Sequence, residues 1–171
     1  DCIFDNTKEI VKYGMEILEV FQTSDDKIKS IIRTLGLSDE FTIFAVFHML
    51  KWDNANEEIF ALAKKVHGWG RIHAIDRLQP ETEEIKDWLL YEGIHNGVVS
   101  AYSAMDCYEK AGVRELLKVL LSTKEVEAIA DIIDALLDEG PVAGISAIDD
   151  AEELIMDFLN AAKSKELSIN M

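Results

Sequence analysis

Almost everywhere along this chain apolar residues fall three and four positions apart, the spacing of one face of an α-helix. Punctuation is scarce. Nine glycines and two prolines in 171 residues leave too few turn signals for a fold of many short strands. The expected fold class is therefore all-α.

Ile10, Met15, Ile17, Leu18 and Phe21 mark a first helix opening near Asn6 or Thr7, either of which can serve as N-cap. Asp25 or Asp26 opens a second through Ile28, Ile31, Ile32 and Leu35, and Gly36 closes it. Ser38 caps a third, in which Phe41, Phe44, Ala45, Phe47 and Leu50 are apolar on most sides, the pattern of a helix buried between neighbours. Four more are predicted over 56–67, 69–79, 82–92 and 96–110, divided by Gly68, Pro80 with Glu81, and Gly93. A short helix over 113–121 precedes the clearest of all. There Val126, Ile129, Ala130, Ile133, Leu136 and Leu137 follow helical spacing after a Ser122 or Thr123 cap, and Gly140 with Pro141 ends the run. Asp149 and Asp150 start a last helix through Leu154, Ile155, Phe158 and Leu159, with fraying expected from Ser164. No composition break divides residues 1–171, so one helical-repeat domain is expected. The chain opens at Asp1 without an initiator methionine, as a fragment or a processed product would.

Charge narrows the function classes. Seventeen Lys and Arg against 33 Asp and Glu give a net charge of −16. Nucleic-acid affinity depends on Lys and Arg displacing counterions, so nucleic acid is an unfavoured partner, and an anionic membrane surface is unfavoured for the same reason. From Leu121 to Met171 three basic residues (Lys124, Lys163, Lys165) face twelve acidic ones, a local net of −9. That surplus reads as a solvated surface that aids solubility, or more sharply as a docking face for a basic partner. Cys2 and Cys107 offer neither CxxC spacing nor a disulfide framework, and no targeting segment opens the chain, so a reduced cytoplasmic setting is expected.

A repeat runs through the middle of the sequence. Glu57-Glu58-Ile59 leads through an apolar helix to Gly68; twenty-six residues on, Glu83-Glu84-Ile85 leads through a similar helix to Gly93; and Lys124-Glu125-Val126 leads to Gly140. Helices of about a dozen residues on very short links must pack against their sequence neighbours. Pairs that cannot bury an apolar face alone stack into an α-solenoid.

The stretch Ala61–Leu90, ALAKKVHGWGRIHAIDRLQPETEEIKDWLL, resembles HEAT-type repeats: a helix written Arg71-Ile72-His73-Ala74-Ile75-Asp76-Arg77-Leu78, a tight turn, then Thr82 leading EEIKDWLL. Over about residues 55–100 it is also similar to uncharacterised bacterial HEAT-like proteins that carry a His-Gly-Trp-Gly-Arg segment before such a helix. The resemblance implies a right-handed α-α superhelix, a HEAT-like solenoid of about ten helices, acting as an interaction scaffold. It supplies no catalytic residues.

Functional-looking side chains concentrate at His67, Trp69, Arg71, His73 and Arg77, with Trp88 and His95 downstream. Turned at 100° per residue, Ile72, Ile75 and Leu78 share one side, and Trp69, His73 and Arg77 form an i, i+4, i+8 stripe on another. Trp69 offers a π face and Arg77 a rigid donor fork, suited to an aromatic ring or a carboxylate. The competing structural reading has Trp69 plugging a gap between helix pairs and Arg77 pairing with Asp76 or Glu81. Other chemistries lack their signatures. His67 and His73, six apart, fall on different faces, and no HExxH motif exists, so no metal is expected. Cys107, mid-helix, reads as a small buried hydrophobe rather than a nucleophile. Asp149, Asp150, Glu152 and Glu153 lack the spacing of a calcium loop. No catalytic residue and no cofactor is expected.

The expected role is thus a non-catalytic scaffold or adaptor that binds a protein or peptide. The competing role is an enzyme or small-ligand binder with Trp69, His73 and Arg77 on its pocket floor. A third is self-association as a homo-oligomer, with the Phe41–Leu50 helix partly exposed in the monomer and covered in a dimer.

Overall fold

Most of the expected helices are realised among the described residues. The computed structural model describes the backbone of residues 2–21 and 25–169 and the side chains of 7–21 and 25–165. Among these it holds ten α-helices, one π-helical turn, one 3-10 turn and no strand. None of the helices described is long and apolar enough to cross a membrane. The backbone gathers into two compact units, Asp1–Leu78 and Gln79–Met171.

The first unit holds α1 (Cys2–Val20), α2 (Asp26–Leu35), α3 (Asp39–Met49), α4 (Ala55–Ala63) and α5 (Gly68–Arg77). α1 starts ahead of the expected Asn6 or Thr7; the side chain of Asn6 lies outside the described residues, and Thr7 is already helical. Asp25 caps α2, its carboxylate accepting the Lys27 N–H at 2.8 Å. Gly36 does end α2, in right-handed rather than left-handed geometry. Its reason is closeness: a Cβ there would lie 2.7 Å from that of Ala45 on α3.

α3 is the hub, as its all-round apolar character demands. It packs against α1, α2, α4 and α5, with Ala45, Val46, Met49, Thr42 and His48 buried. Four helices of its own unit pack on it, yet Phe41, Ile43, Phe44 and Phe47 keep partial exposure and Leu50 is exposed, so the helix stays partly open. Polar ties set its register against α1. Lys8 and Lys12 reach Glu40 at 3.1 and 3.2 Å, His48 Nε2–H donates to the Met15 carbonyl at 2.8 Å, and Lys51 meets the Glu19 carboxylate at 3.0 Å. Because higher numbers meet higher numbers, with the His48 and Lys51 ties spanning 33 and 32 residues, the two helices run parallel. α5 lies along α3 in the same sense, Gly70 meeting Asp39 and Arg77 meeting Phe47. This spatial offset of about thirty residues is not the twenty-six-residue spacing of the acidic helix starts. The glycine stop is also displaced: α4 ends at Ala63, and Gly68 opens α5.

The second unit holds α6 (Glu83–Trp88), a π-helical turn (Leu89–Gly93), α7 (Ala101–Lys110), α8 (Val113–Leu116), α9 (Thr123–Leu137), a 3-10 turn (Ile145–Ala147) and α10 (Ala151–Ile169). α9 is its centre, packed against the π turn, α7 and α10. It starts with a capping box: Ser122 Oγ accepts the Glu125 N–H at 3.2 Å, and the Glu125 carboxylate accepts the Ser122 N–H at 2.6 Å. These bonds hold the Glu125 carboxyl below the ordinary glutamate range. Two expected helices are shorter than their patterns suggest. Residues 96–110 become helical only at Ala101, because buried Asn96 bonds the Val99 carbonyl at 3.0 Å, Ser103 Oγ at 3.1 Å and the Val98 N–H at 2.8 Å, forming a polar turn. Residues 113–121 give only the single turn of α8. Gly93 is a packing glycine, since a Cβ there would collide with Cys107 Sγ. Cys107 itself is fully buried, as expected of a small hydrophobe. α10 runs to Ile169, past the expected fraying at Ser164.

Candidate interaction site

The His-Gly-Trp-Gly-Arg segment sits where α5 meets α3. Gly68 adopts φ +65°, a conformation other residues rarely take. The Asp39 carboxylate, from the first turn of α3, accepts the Gly70 N–H at the start of α5, where a negative charge complements the helix dipole. Gly70 lies so close to Thr42 that a Cβ would collide with its hydroxyl. That hydroxyl is shared between the carbonyls of Gly36 and Ser38, each at 2.9 Å. The two glycines thus bring the α5 backbone onto α3, while the tryptophan between them turns outward.

Trp69 is 43% exposed, so it is not a plug between helices. One turn on, the His73 ring lies with its centroid 6.4 Å from that of Trp69, tilted by 32°. Another turn on, the Arg77 guanidinium stands 5.9 Å from the Phe47 ring centre and 2.8 Å from the Asp76 carboxylate. A cation over an aromatic face at an exposed site contributes about 0.5–1 kcal/mol. The i, i+4, i+8 stripe therefore exists as an outward strip of aromatic, imidazole and guanidinium groups, bordered by exposed His67. Ile72, Ile75 and Leu78 are buried on the other side. Arg71 goes with them: it is buried, and its Nε–H donates to the Ala63 carbonyl at 3.3 Å, at the end of α4. There it meets the negative end of a helix dipole and faces away from the Trp69 strip. Phe47, thirty residues upstream, left no local signal of its place under Arg77.

The first unit also has a cleft of about 180 Å³ whose lining includes Ser30, Arg33, Met49, Glu58 and Leu62. Arg33 grips Glu58 through two bonds of 2.7 and 2.9 Å, with its guanidinium 5.1 Å from the Trp52 ring centre. The hydrogen bond from Arg33 holds the Glu58 carboxyl below the usual glutamate range. Arg33 and Glu58 are thus spent on each other, with Lys65 also on the cleft's lining.

Trp88 and His95 belong to the second unit. Trp88, half-buried, ends α6 at the start of the π turn. His95 is exposed and, with Ile94 and Asp131, lines two adjoining clefts of about 180 and 370 Å³. In the first, Lys124 Nζ stands 4.2 Å from the Tyr91 ring centre, and burial, with Glu125 and Asp87 nearby, pushes the Tyr91 phenol up. The second is acidic, with Asp134 of α9 and Asp138, its C-cap. Among the described residues no group of three or more His, Cys, Asp or Glu is arranged to hold a metal ion. Compared with known proteins, the chain matches no family model, no curated protein and no solved structure.

Proposed function

We propose that this chain is a non-catalytic protein-interaction scaffold of HEAT-like α-α repeats, and that the outward strip of α5 (His67, Trp69, His73 and Arg77) receives an acidic or aromatic element of a partner protein. The repeat reading is supported by the parallel run of α1, α3 and α5 at near-constant offset, with α2 and α4 as the intervening members of each pair. A helix-pair period of about thirty residues lies within the range of stacked helical repeats and is shorter than the roughly 40–47 of HEAT units.

The observation that carries the binding role is the exposure of Trp69 between two glycines that serve packing. An open aromatic beside an arginine is the composition of an interface anchor. A small-ligand or catalytic site would instead wall in His73 and Arg77, whereas Trp69 and Arg77 stand open to solvent.

Peptides selected by display against the full chain are expected to perturb the resonances of Trp69, His73 and Arg77. They should bind at least about tenfold more weakly to Trp69→Ala and to Arg77→Glu, with helical content unchanged. Selected peptides that bind both variants at wild-type affinity would sink this reading.

A further inference from the structure

α1 carries a second surface, unconnected with the α5 strip. Val11, Met15 and Leu18 turn toward the rest of the unit and are buried or half-buried. Ile10, Tyr13, Ile17, Val20 and Phe21 are 41–76% exposed. The first four lie three, four and three residues apart, the 3.5-residue rhythm of a coiled-coil seam. With Ile10 and Ile17 at a positions and Tyr13 and Val20 at d positions, the side chains that pack inward fall at b and f, opposite the seam. Polar ties to Glu40, His48 and Lys51 hold the helix in place, so the exposed stripe is displayed on a fixed rod.

We infer that a second copy of this chain covers the stripe, α1 pairing with α1 in parallel. The area fits. At roughly 200 Å² for a large apolar side chain, the five exposed fractions sum to about 600 Å² per chain, at the top of what one monomer's largest apolar patch usually exposes. Complete covering of all five in both copies would bury about 1,200 Å², the lower bound for a specific interface. The flanks set the direction. Glu9 and Glu16 border one edge of the seam, Gly14 and Phe21 the other. A parallel copy sets each glutamate across from an uncharged residue, Glu9 facing Gly14 and Glu16 facing Phe21, whereas an antiparallel copy brings the two glutamate edges together. Around Gly14 a Cβ would meet nothing within 4 Å in the single chain, which leaves room for the approaching helix.

Sedimentation of the full chain over about 1–100 µM should show growth from 19.3 kDa to twice that mass. Ile10→Lys and Val20→Lys should each raise the dimer dissociation constant at least about tenfold. Their helical content should not change, because these side chains stand in solvent. In a Cys2→Ser background, Val20→Cys should cross-link to its own copy under mild oxidation. A chain that stays monomeric at the highest concentration, or a dimer indifferent to both lysines, overturns the inference. So does a Val20→Cys variant that cross-links only when mixed with Ile10→Cys, which would make the pair antiparallel.

Discussion

From Asp1 to Leu78 ten basic residues stand against thirteen acidic ones; from Gln79 to Met171 seven stand against twenty. Each unit gathers its helices about one central helix, α3 in the first and α9 in the second, yet their net charges are −3 and −13. The difference shows in how charge is used. In the first unit the ion pairs Lys8–Glu40, Lys51–Glu19 and Arg33–Glu58 reach between segments, beside Lys12–Glu9 and Arg77–Asp76 within single helices. In the second, Lys86–Glu83, Lys118–Glu115 and Lys110–Asp106 lie within single helices or turns. Arg114 is the exception, joining α8 to Asp150, Glu153 and Asp157 at the start of α10. Charge in the first unit fastens structure, and the surplus in the second is left facing water.

Separate centres should yield separately. Met49→Ala in α3 and Leu136→Ala in α9 each remove a fully buried side chain and should cost about 2–5 kcal/mol in urea unfolding. Residue-resolved amide exchange should place the loosening in residues 25–78 for the first and 79–165 for the second. Loosening spread evenly over both would remove the energetic meaning of the division. A smaller effect comes from the packing glycines. Gly70→Ala drives a methyl into Thr42 and Gly93→Ala into Cys107, so each should cost about 1–3 kcal/mol. The cysteine side chain gives more readily than the bonded threonine, and Gly70→Ala is expected to cost more. The reverse order in thermal melts would show that α3 and α5 adjust more easily than the hydrogen-bonded Thr42 suggests.

The smallest effect tests the fastening role of charge. Arg33 depresses the Glu58 pKa below the free value of 4.5. The stability this confers is fully present above that value and lost as pH falls through the depressed one. Glu58→Gln should therefore lower stability near neutrality by less than about 1 kcal/mol, the pair being partly exposed, and the gap should close in acid. A gap that persists unchanged in urea titrations down to about pH 2 would mean that Glu58 acts by packing and not by charge.

Helices were legible because periodicity is local. So were a cap at Ser122 or Thr123, which the structure assigns to Ser122, and the covering of α3 by its neighbours, from a helix apolar on most sides. The His-Gly-Trp-Gly-Arg segment was legible only as a cluster. Its residues divide among three tasks: Gly68 and Gly70 packing on α3, Arg71 tying to α4, Trp69 and His73 facing out. Spacing placed Trp69, His73 and Arg77 on one strip, but it gave no sign of Asp39, Thr42 or Phe47 on the facing helix. Nor did it show that residues 96–100 would be drawn out of helix by the bonds of Asn96.

The sequence by itself determined that this chain makes helices, roughly where they begin, and that its negative charge collects toward the end. These follow from neighbours within a turn or two, where hydrogen-bonding pattern and apolar rhythm repeat every few residues. Tertiary structure decided which face of each helix is covered, since the covering residue stands some thirty positions away. That is why α3, apolar on most sides, is largely covered within its unit, while α1, with its more modest pattern, keeps a row of large side chains in water.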